Sequence, residues 1–425
     1  MLYLFFVVLL LLIPGAARAQ VPLAIRSGQA PLSLRAALEE ALVANPTLVA
    51  LRRQVDAAGL GPAQEGFLAA PSLEAQIWQW PVDTLNPLNV NMYMFTMRQD
   101  VPGRGKRALR TALAGKHDAL ASNEIAARMS AIVGEVKRAY AELYITRKAI
   151  DIHQESVVLL RQFADVSAAK YAAGRLPQQD VLKAVVEISK LHEDLARLEE
   201  RAATTAAQLN VLLDRAPQAP IGPLGEPRDV VSMPPVEALQ QTAVDRHPAL
   251  RAAQLRVERA QAALALAEGE SRPDYTVGGG YMLMPGQAGA WTASAGLTWP
   301  NAPWSRGRLT ARKAEATADV EAARAERRVI ESQVRLAVQE AYVRAAYAQQ
   351  RADLLRTSVL PQSEQTLEVS RVAYQTDRVD FLALIDNQRM LLEARLGYYR
   401  ARSDREQALA DLERAIGQDV PEVNP

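Results

Sequence analysis

The chain has 425 residues, with 49 basic and 48 acidic side chains, no cysteine and 49% hydrophobic residues. Charges this evenly balanced give no case for a nucleic-acid-binding protein, and the lack of cysteine excludes disulfides, thiolate metal sites and an acylated N-terminal cysteine. Aromatic residues make up only 5% of the chain, while Ala, Leu, Arg, Glu and Gln are common, which favours long helices.

The chain opens on a hydrophobic segment. Leu2–Ile13 is apolar throughout but too short to span a bilayer as a helix. The Pro14-Gly15 pair then breaks the segment, and Ala17-Arg18-Ala19 fits the small-residue rule for signal peptidase. We therefore predict a secretory signal peptide over residues 1–19, with a short membrane anchor as the alternative. No later segment reaches the roughly 18 apolar residues of a transmembrane helix.

The rest of the sequence is a duplication. Asn45–Leu73 resembles His247–Tyr275, and several prolines and tyrosines recur at one common spacing of roughly 200 residues. A segment rich in Pro and Gly separates the two copies, and we interpret it as an extended linker. The predicted organisation is a first repeat over 20–213, a linker over 214–235 and a second repeat over 236–425.

Each repeat has the same predicted order: a helix, two strands, a very long helix and a shorter helix. At about 1.5 Å per residue the long helix reaches roughly 100 Å, and the two shorter helices together match it. The long helix can therefore lie antiparallel beside the other two, stacked end to end. The predicted helices are Ser33–Leu68, Arg104–Ala173 and Pro177–Leu213 in the first repeat, and Val236–Gly269, Arg306–Thr376 and Asp380–Ile416 in the second.

The last helix of the first repeat has an apolar seam whose spacing alternates between four and three residues. Such a repeat is typical of a coiled coil, which suits helices too long for a compact globule. The seam residues are Leu191, Leu195, Leu198, Ala202, Thr205, Leu209 and Leu212.

The strand segments alternate in polarity. Between Trp291 and Trp299 the odd-numbered residues are apolar and the even-numbered ones are small or polar. This pattern is typical of a lipid-facing barrel strand with aromatic residues at the membrane interfaces, although two soluble hairpins that cap the helices would explain it too. Four strands cannot close a barrel, and open edges do not occur in lipid. If the strands enter a membrane, several chains must share one barrel.

Together, the signal peptide, the duplicated helices, the hairpins and the turn sequence "YxxG…DVL" resemble the TolC family of outer-membrane factors. Gln99–Arg110, "QDVPGRGKRALR", is similar to a junction found in the heavy-metal efflux branch, the cobalt–zinc–cadmium and copper–silver exporters. The resemblance implies a mainly α-helical fold with a small β part, in which duplicated helical hairpins form an α-barrel. Four strands per chain would contribute to a trimeric twelve-stranded β-barrel.

The resemblance also implies a function and partners. The chain would be a homotrimeric exit duct in the outer membrane of a Gram-negative bacterium, with a large periplasmic portion. It would conduct metal cations or small toxic compounds passively, together with a periplasmic adaptor and an inner-membrane pump of the RND type. The alternative is a periplasmic coiled-coil scaffold or adaptor that never enters the membrane.

Two matching segments, "YAAGRLPQQDVLKA" and "YQTDRVDFLALIDN", interrupt the helices, and the resemblance places them at the periplasmic tip. Gly174 supplies a permissive backbone for the first turn, and Asp377 stands where the family commonly has glycine. The residues expected to contact an adaptor are Tyr171, Gly174, Arg175, Leu176, Asp377 and Arg378, and the expected membrane-facing aromatics are Trp291 and Trp299.

Three further residues match the family's aperture. Asp180 corresponds to an acidic residue that bonds a tyrosine of the second turn, and Tyr374 matches that tyrosine. Asp386 falls where relatives have an acidic residue facing the lumen, and Ala383 falls where they have another. We therefore expect one carboxylate ring, which would favour cations.

The remaining motifs favour no chemistry. The four histidines have no i,i+4 pairing, and no nucleophile–base constellation or phosphate loop is present, so we predict neither an enzyme nor a cofactor or metal site. Five methionines cluster in the strand segments. Thioethers can bind Cu(I), but apolar filling is the interpretation that we favour. These methionines are Met92, Met94, Met97, Met282 and Met284.

Overall fold

A computed structural model describes residues 31–80, 82, 86, 89–226 and 233–420. The predicted signal peptide lies outside these residues, as does the part of the linker at 227–232. The two halves contain corresponding helices and strands in the same order, as the duplication predicts, except that α3 has no separate counterpart in the second half. The first half has α1 (Leu34–Ala44), α2 (Pro46–Ala58), α3 (Gly61–Gly66), β1 (Ser72–Trp78), β2 (Met92–Val101), α4 (Lys106–Ala172) and α5 (Gln178–Leu212). The second has α6 (Val236–Arg246), α7 (Pro248–Gly269), β3 (Tyr275–Leu283), β4 (Ala290–Leu297), α8 (Arg306–Leu354), α9 (Leu360–Gln375) and α10 (Phe381–Ile416).

The first helix of each half is broken, which corrects the prediction of single helices. The breaks fall at Asn45 and His247, each followed by a proline. A residue before proline is driven out of the helical region, and proline itself suits the first turn of a new helix. Asn45 and His247 then cap the second piece, because each side chain accepts a hydrogen bond from the backbone N–H two residues later, at 3.0 and 3.1 Å.

The two very long helices are confirmed, with one irregularity. α4 runs without interruption for 67 residues. Its counterpart widens into a π-helical turn at Leu355–Val359, between α8 and α9. Pro361 follows at the start of α9. Proline has no N–H to donate and its ring clashes with the preceding turn of an α-helix, so a π-turn at this place relieves the conflict.

The long helices pack as the lengths predict. α4 lies against α5 over one part of its length and against α1, α2 and α3 over the other, and α8 lies against α6, α7 and α10. The predicted seam of α5 is confirmed, since its seven residues are all buried or half-buried. One apolar cluster of the core, which includes Phe163, Leu191, Tyr374 and Phe381, joins both hairpins near their turns.

The described part of the linker runs along α4. The Arg147 guanidinium donates to the Ile221 and Gly222 carbonyls at 2.9 and 2.6 Å. The Tyr140 hydroxyl donates to the Leu32 carbonyl at 2.8 Å and accepts from the Gly225 N–H at 2.8 Å. Burial raises the pKa of Tyr140. The extended segment is therefore held on the helix by partly buried hydrogen bonds.

The four strands form one antiparallel sheet in the order β1-β2-β3-β4. Two hairpins, one from each half, join through the β2–β3 pair. Strands β1 and β4 form the edges, and no further strand pairs with them in the described chain. Among the described residues, every helix is too short or too polar to be a transmembrane segment.

Candidate functional sites at the helical turns and the sheet

Both helical hairpins reverse through the same backbone motif. In the first turn the Arg175 N–H donates to the Lys170 carbonyl at 2.9 Å and the Gly174 N–H donates to the Tyr171 carbonyl at 2.9 Å. This pair of bonds is a Schellman motif, which needs a left-handed residue just after the helix. Gly174 is that residue, with φ of 71°.

The second turn repeats this geometry with a different residue. The Arg378 N–H donates to the Ala373 carbonyl at 2.9 Å, and the Asp377 N–H donates to the Tyr374 carbonyl at 3.3 Å. Asp377 has φ of 58°, which aspartate tolerates better than most residues. The matching positions predicted from the sequence therefore have the same conformation.

The hydroxyl of Tyr374 does not make the predicted bond to Asp180. It lies 2.9 Å from the Ser167 hydroxyl, which itself donates to the Phe163 carbonyl at 2.8 Å. Because serine has one proton to give, Tyr374 donates to Ser167. The Tyr374 side chain is only 3% exposed, and burial raises its pKa. Within the chain, then, a serine of α4 takes the place expected of the aspartate.

Lys170 makes the principal polar contact between the two turns, and the sequence did not single it out. Its Nζ donates to the Tyr374 carbonyl, lies 2.5 Å from Asp377 Oδ1 and sits 4.3 Å above the Tyr374 ring. The hydrogen bond and charge of Lys170 lower the pKa of Asp377. We call this group of contacts the Lys170 latch. It joins the end of α4 to the end of α9.

A second ion pair joins the hairpins farther from the turns. Arg389 of α10 donates through Nε to Glu187 of α5 at 3.2 Å. Burial opposes ionisation of Glu187, but the hydrogen bonds and charges of Arg389 and Lys190 lower its pKa overall. Asp386 lies 3.6 Å from the same arginine and its side chain is 57% exposed. Asp180 pairs with Lys183 on its own helix at 3.8 Å.

The residues expected to contact an adaptor surround the two turns at the surface. Leu176 is half-buried and packs against the apolar cluster that includes Phe163, Leu191, Tyr374 and Phe381. The other five are exposed: Tyr171, Gly174, Arg175, Asp377 and Arg378.

The register of the sheet gives it one apolar and one polar face. Directly paired residues share a face, and successive residues alternate. Tyr281 pairs with Trp291, and Val277 pairs with Ala295. The apolar face contains Leu73, Ala75, Ile77, Tyr93, Phe95, Met97, Val101, Tyr275, Val277, Tyr281, Leu283, Trp291, Ala293, Ala295 and Leu297, with the polar Gln99 among them. The opposite face contains Ser72, Glu74, Gln76, Thr96, Arg98, Asp100, Thr276, Thr292 and Ser294, and it becomes apolar at the end of the sheet away from the helices, with Trp78, Met92, Met94, Met282 and Ala290.

This register supports the alternation predicted for the last strand, but the strand ends earlier than predicted. β4 ends at Leu297, so Trp299 lies beyond the strand. There it packs edge-on against Trp304, with ring centroids 6.2 Å apart. Trp291 is in the strand and is 82% exposed in the single chain.

The "QDVPGRGKRALR" segment is the junction between β2 and α4. Gly103 lies so close to the chain before β3 that a Cβ would come within 2.3 Å of the Pro273 carbonyl oxygen. Its N–H donates to Asp274 at 2.7 Å, and the Lys106 ammonium, 4% exposed, donates to the same carboxylate at 2.9 Å. The motif therefore fixes the sheet to the helices.

A sheet with one apolar face at the end of helical hairpins about 100 Å long is the architecture of an outer-membrane channel. Residues 239–418 match the model of the outer membrane efflux protein family. The cobalt-zinc-cadmium resistance protein CzcC of Cupriavidus metallidurans extends the likeness to the first half. It is 24% identical over 403 residues, which are 94% of this chain and 93% of CzcC.

Solved channel structures have the same fold. CusC, described as a protein that forms a transmembrane channel, matches with a TM-score of 0.76 and 16% identity over 91% of this chain and 92% of its own. The outer membrane protein VceC of Vibrio cholerae matches with a TM-score of 0.74 and 20% identity over 91% of this chain and 96% of its own.

Proposed function

We propose that three copies of this chain form the exit duct of a tripartite efflux system in the outer membrane. The observation that carries the proposal is that the sheet and the helical turns lie at opposite ends of the long helices. A four-stranded sheet with an apolar face extends from the helices at the Lys106 junction, and the two helical turns end the hairpins that run away from it. A duct needs both a membrane portion and a periplasmic portion.

The edges of the sheet support a shared barrel. Strands β1 and β4 each present a row of backbone groups that pair with no other strand in the described chain. Such groups cannot be left unpaired in lipid, so β4 of one copy would pair with β1 of the next. Three copies of a four-stranded sheet would close a barrel of about twelve strands, within the range known for outer-membrane proteins.

The turns support a closed end that can open. The Lys170 latch and the Tyr374–Ser167 bond hold the second hairpin against the first, and both can be broken without unfolding either helix. A periplasmic adaptor would bind the five exposed turn residues and release these contacts. An inner-membrane pump of the RND type would then deliver its substrate into the open duct.

Asp386 supports conduction of cations. In a three-fold assembly its carboxylate would occur three times around one axis, and such a ring favours cations over anions. The name of CzcC refers to cobalt, zinc and cadmium resistance. We extend this to the present chain as a substrate class of metal cations or small toxic compounds.

Fractionation of cells tests the location, and light scattering of the extracted protein tests the assembly. We expect recovery with the outer membrane and, after detergent extraction, a particle with the mass of three chains. Recovery in the soluble periplasmic fraction would support a coiled-coil scaffold instead. A monodisperse monomer would overturn the shared barrel even if the protein is found in the membrane.

A further inference from the structure

Each of the two long helices begins, next to the sheet, with a cluster of basic side chains. Residues 104–110 and 306–313 together contain eight basic and no acidic residues, whereas the chain as a whole is nearly neutral. We call these two segments the basic belt. They correspond to each other in the duplication, Arg104 to Arg306, Lys106 to Arg308 and Arg110 to Arg312.

Helix stability does not explain the basic belt. Basic side chains are unfavourable at the start of a helix, where the dipole is positive and acidic side chains are the stabilising ones. Neither α4 nor α8 has an acidic residue in its first turn. The same charge is therefore placed twice against the helix dipole, and its partner has to be found elsewhere.

The chain itself balances only part of this charge. Among the described residues, three of the eight basic side chains have acidic partners, namely Lys106 with Asp274, Arg312 with Glu270 and Lys313 with Glu268. Four others are exposed and form no ion pair with a described residue, and these are Arg104, Arg107, Arg306 and Arg308. The contrast between equivalent positions is clear, because Lys106 is buried and fixes the sheet while Arg308 is open to solvent.

Two tryptophans place the second segment of the belt on the lipid side of the sheet. The Thr298 N–H donates to the Asp274 carbonyl at 2.9 Å, so strand pairing continues past the end of β4 and Trp299 has the parity of the apolar face. The ring of Trp299 packs against that of Trp304, which is 84% exposed. Tryptophan is enriched where the hydrocarbon of a membrane meets water, so this pair indicates the membrane boundary.

Arg308 lies beside that boundary. The chain already turns helically from Ala302, because the Arg306 N–H donates to the Ala302 carbonyl at 2.9 Å. Residues four apart lie on the same side of a helical turn, so Arg308 follows Trp304 on its side. A long arginine side chain can lie along an apolar surface and extend its charge to the headgroups.

The first segment has a similar setting. The Arg107 guanidinium donates to the Gly66 carbonyl at 3.2 Å, and the next residue, Phe67, is 76% exposed. In the proposed barrel, β4 of one copy pairs with β1 of the next. The chain just before β1 would then lie beside the chain just after β4, and Arg107 of one copy would lie near Arg308 of its neighbour.

We propose that the basic belt binds the phosphate groups of acidic phospholipids, of the phosphatidylglycerol type, in the leaflet that faces the periplasm. The guanidinium group suits this partner because it can donate two parallel hydrogen bonds to one phosphate. Each basic residue near an anionic membrane surface raises the affinity about fivefold. The proposal rests on the proposed duct, because a barrel that spans the outer membrane is what places the belt among headgroups.

Native mass spectrometry of the detergent-extracted protein can measure this preference. The protein is equilibrated with equal amounts of phosphatidylglycerol and phosphatidylcholine that carry the same acyl chains. We expect the wild type to retain phosphatidylglycerol preferentially, and the preference to fall at high salt, because exposed charges are screened. Glycerol phosphate, a soluble form of the same group, should not compete at equal concentration, and full competition would show a site for free phosphate instead of lipid.

Arg306→Gln with Arg308→Gln removes two charges of the belt from each chain. The preference for phosphatidylglycerol should fall at least about tenfold. Arg327→Gln with Arg328→Gln is the matched control, because both residues are exposed on the same helix but farther from the sheet. It should retain lipid like the wild type. If the first double variant does not assemble, the single variant Arg308→Gln is compared, and its preference should fall about fivefold.

Equal retention of the two lipids by the wild type would overturn the proposal, and so would a double variant that keeps the wild-type preference. Arginines that faced the lumen would give a different result, a changed reversal potential in a salt gradient with unchanged lipid retention, which also overturns it. The proposed duct would fail separately, by recovery of the protein outside the membrane or as a monomer.

Discussion

Lys170 joins the two long hairpins at their turns through three contacts of one side chain. Its side chain is 13% exposed, and the ammonium contacts a carbonyl, a carboxylate and an aromatic face of the second hairpin. Lysine can do this because its long stem packs along apolar surface while its charged end reaches the partners. Asp377 is open to solvent, so the bond to the buried Tyr374 carbonyl is the stronger part of the latch.

We expect Lys170→Met to raise single-channel conductance in planar bilayers. A hydrogen bond from a charged donor contributes about 1.5 kcal/mol at the lower end of its range. If three chains lose it together and the losses add, a closed–open equilibrium shifts about a thousandfold. Trimer yield should not change, because the apolar cluster around Phe381 remains.

Lys183→Met is the matched control for the latch. Lys183 lies near the same end of the molecule, but its partner Asp180 is on its own helix. Removing that pair loosens nothing between the hairpins, and the variant should conduct like the wild type. Equal conductance of both variants would mean that another contact, such as Arg389 with Glu187, keeps the turns closed.

His247 makes the stability of the second half sensitive to pH. Burial and the nearby Arg414 lower the pKa of His247, and its neutral Nδ1 accepts the Ala249 N–H that begins α7. A folded-state pKa below the unfolded value means that the unfolded chain binds more protons. This stabilising contribution is therefore complete above the ordinary histidine pKa of about 6.5 and is lost as the pH falls through the lowered value.

His247→Asn tests this linkage with a residue that the chain already uses at the equivalent place. Asn45 caps α2 in the same way and does not titrate. We expect the thermal midpoint, followed by far-UV circular dichroism, to fall more between pH 7.5 and 5 in the wild type than in His247→Asn. Parallel curves for the two proteins would exclude His247 as the source of the pH dependence.

At the scale of elements, a glycine in a turn and a glycine inside a helix have opposite effects on stability. Gly174 has a left-handed backbone, and a Cβ added there would meet no atom within 4 Å, so Gly174→Ala should destabilise by about 1 kcal/mol through conformation alone. Gly115 also has free space but lies inside α4. Gly115→Ala should stabilise by about 0.5–1 kcal/mol. Denaturant unfolding should show opposite signs, and equal signs would contradict the assigned turn geometry.

The sheet can be tested by placing one charge on either face of the same strand. Ala293 lies on the apolar face and Ser294 on the polar face of β4, opposite Gly279 and Gly278. A lysine exposed to lipid near the middle of a barrel costs about 2–4 kcal/mol. Ala293→Lys should therefore reduce the amount of trimer in the membrane, and Ser294→Lys should be much milder. Similar losses in both variants would mean that the faces are assigned wrongly.

The long helices were predictable from the sequence. The local breaks within them were predictable only in part. The length of α4 and the seam of α5 follow from patterns repeated over many turns, where single exceptions do not matter. The breaks before Pro46 and Pro248 had a visible signal, since proline cannot continue a helix. The π-turn before Pro361 is harder to predict, because its counterpart in α4 is regular helix.

The contacts between the two turns were not predictable in the same way. Lys170 and Asp377 are far apart in sequence, and their ion pair depends on how two hairpins pack against each other. The family resemblance suggested Asp180 as the partner of Tyr374, whereas Ser167 holds its hydroxyl. Ser167 on α4 takes the place of the carboxylate expected from α5, and the tyrosine itself is unchanged. The tyrosine motif alone therefore did not reveal which residue bonds its hydroxyl.

At the scale of the whole molecule, the two halves of the outer-membrane channel repeat the same helices and strands. They differ in the side chains that join their helical turns. Each half supplies two strands and one hairpin, and the Schellman turns match. The latch does not match, because Lys170 of α4 corresponds in position to Ala373 of α9, which has no charge to offer. In an assembly of three chains, these unequal hairpins would alternate around one axis.

In that alternation, Asp386 would occur once in each chain, near the turns. Its carboxylate is more than half exposed, and its neighbour Arg389 is shared with Glu187, so its charge is only partly balanced within the chain. Three such carboxylates around one axis would attract cations. Asp386→Asn should therefore lower the cation-to-anion permeability ratio, measured from the reversal potential in a salt gradient, and leave the closed conductance unchanged.

Glu368→Gln is the matched control for Asp386→Asn. Glu368 is an exposed acidic residue on α9 that pairs with Arg371 on its own helix, at 2.7 Å. Its removal takes away the same amount of charge from the same hairpin and should leave the permeability ratio at the wild-type value. A ratio that falls equally in both variants would show that the overall charge of the hairpin, rather than a ring at Asp386, sets the preference for cations.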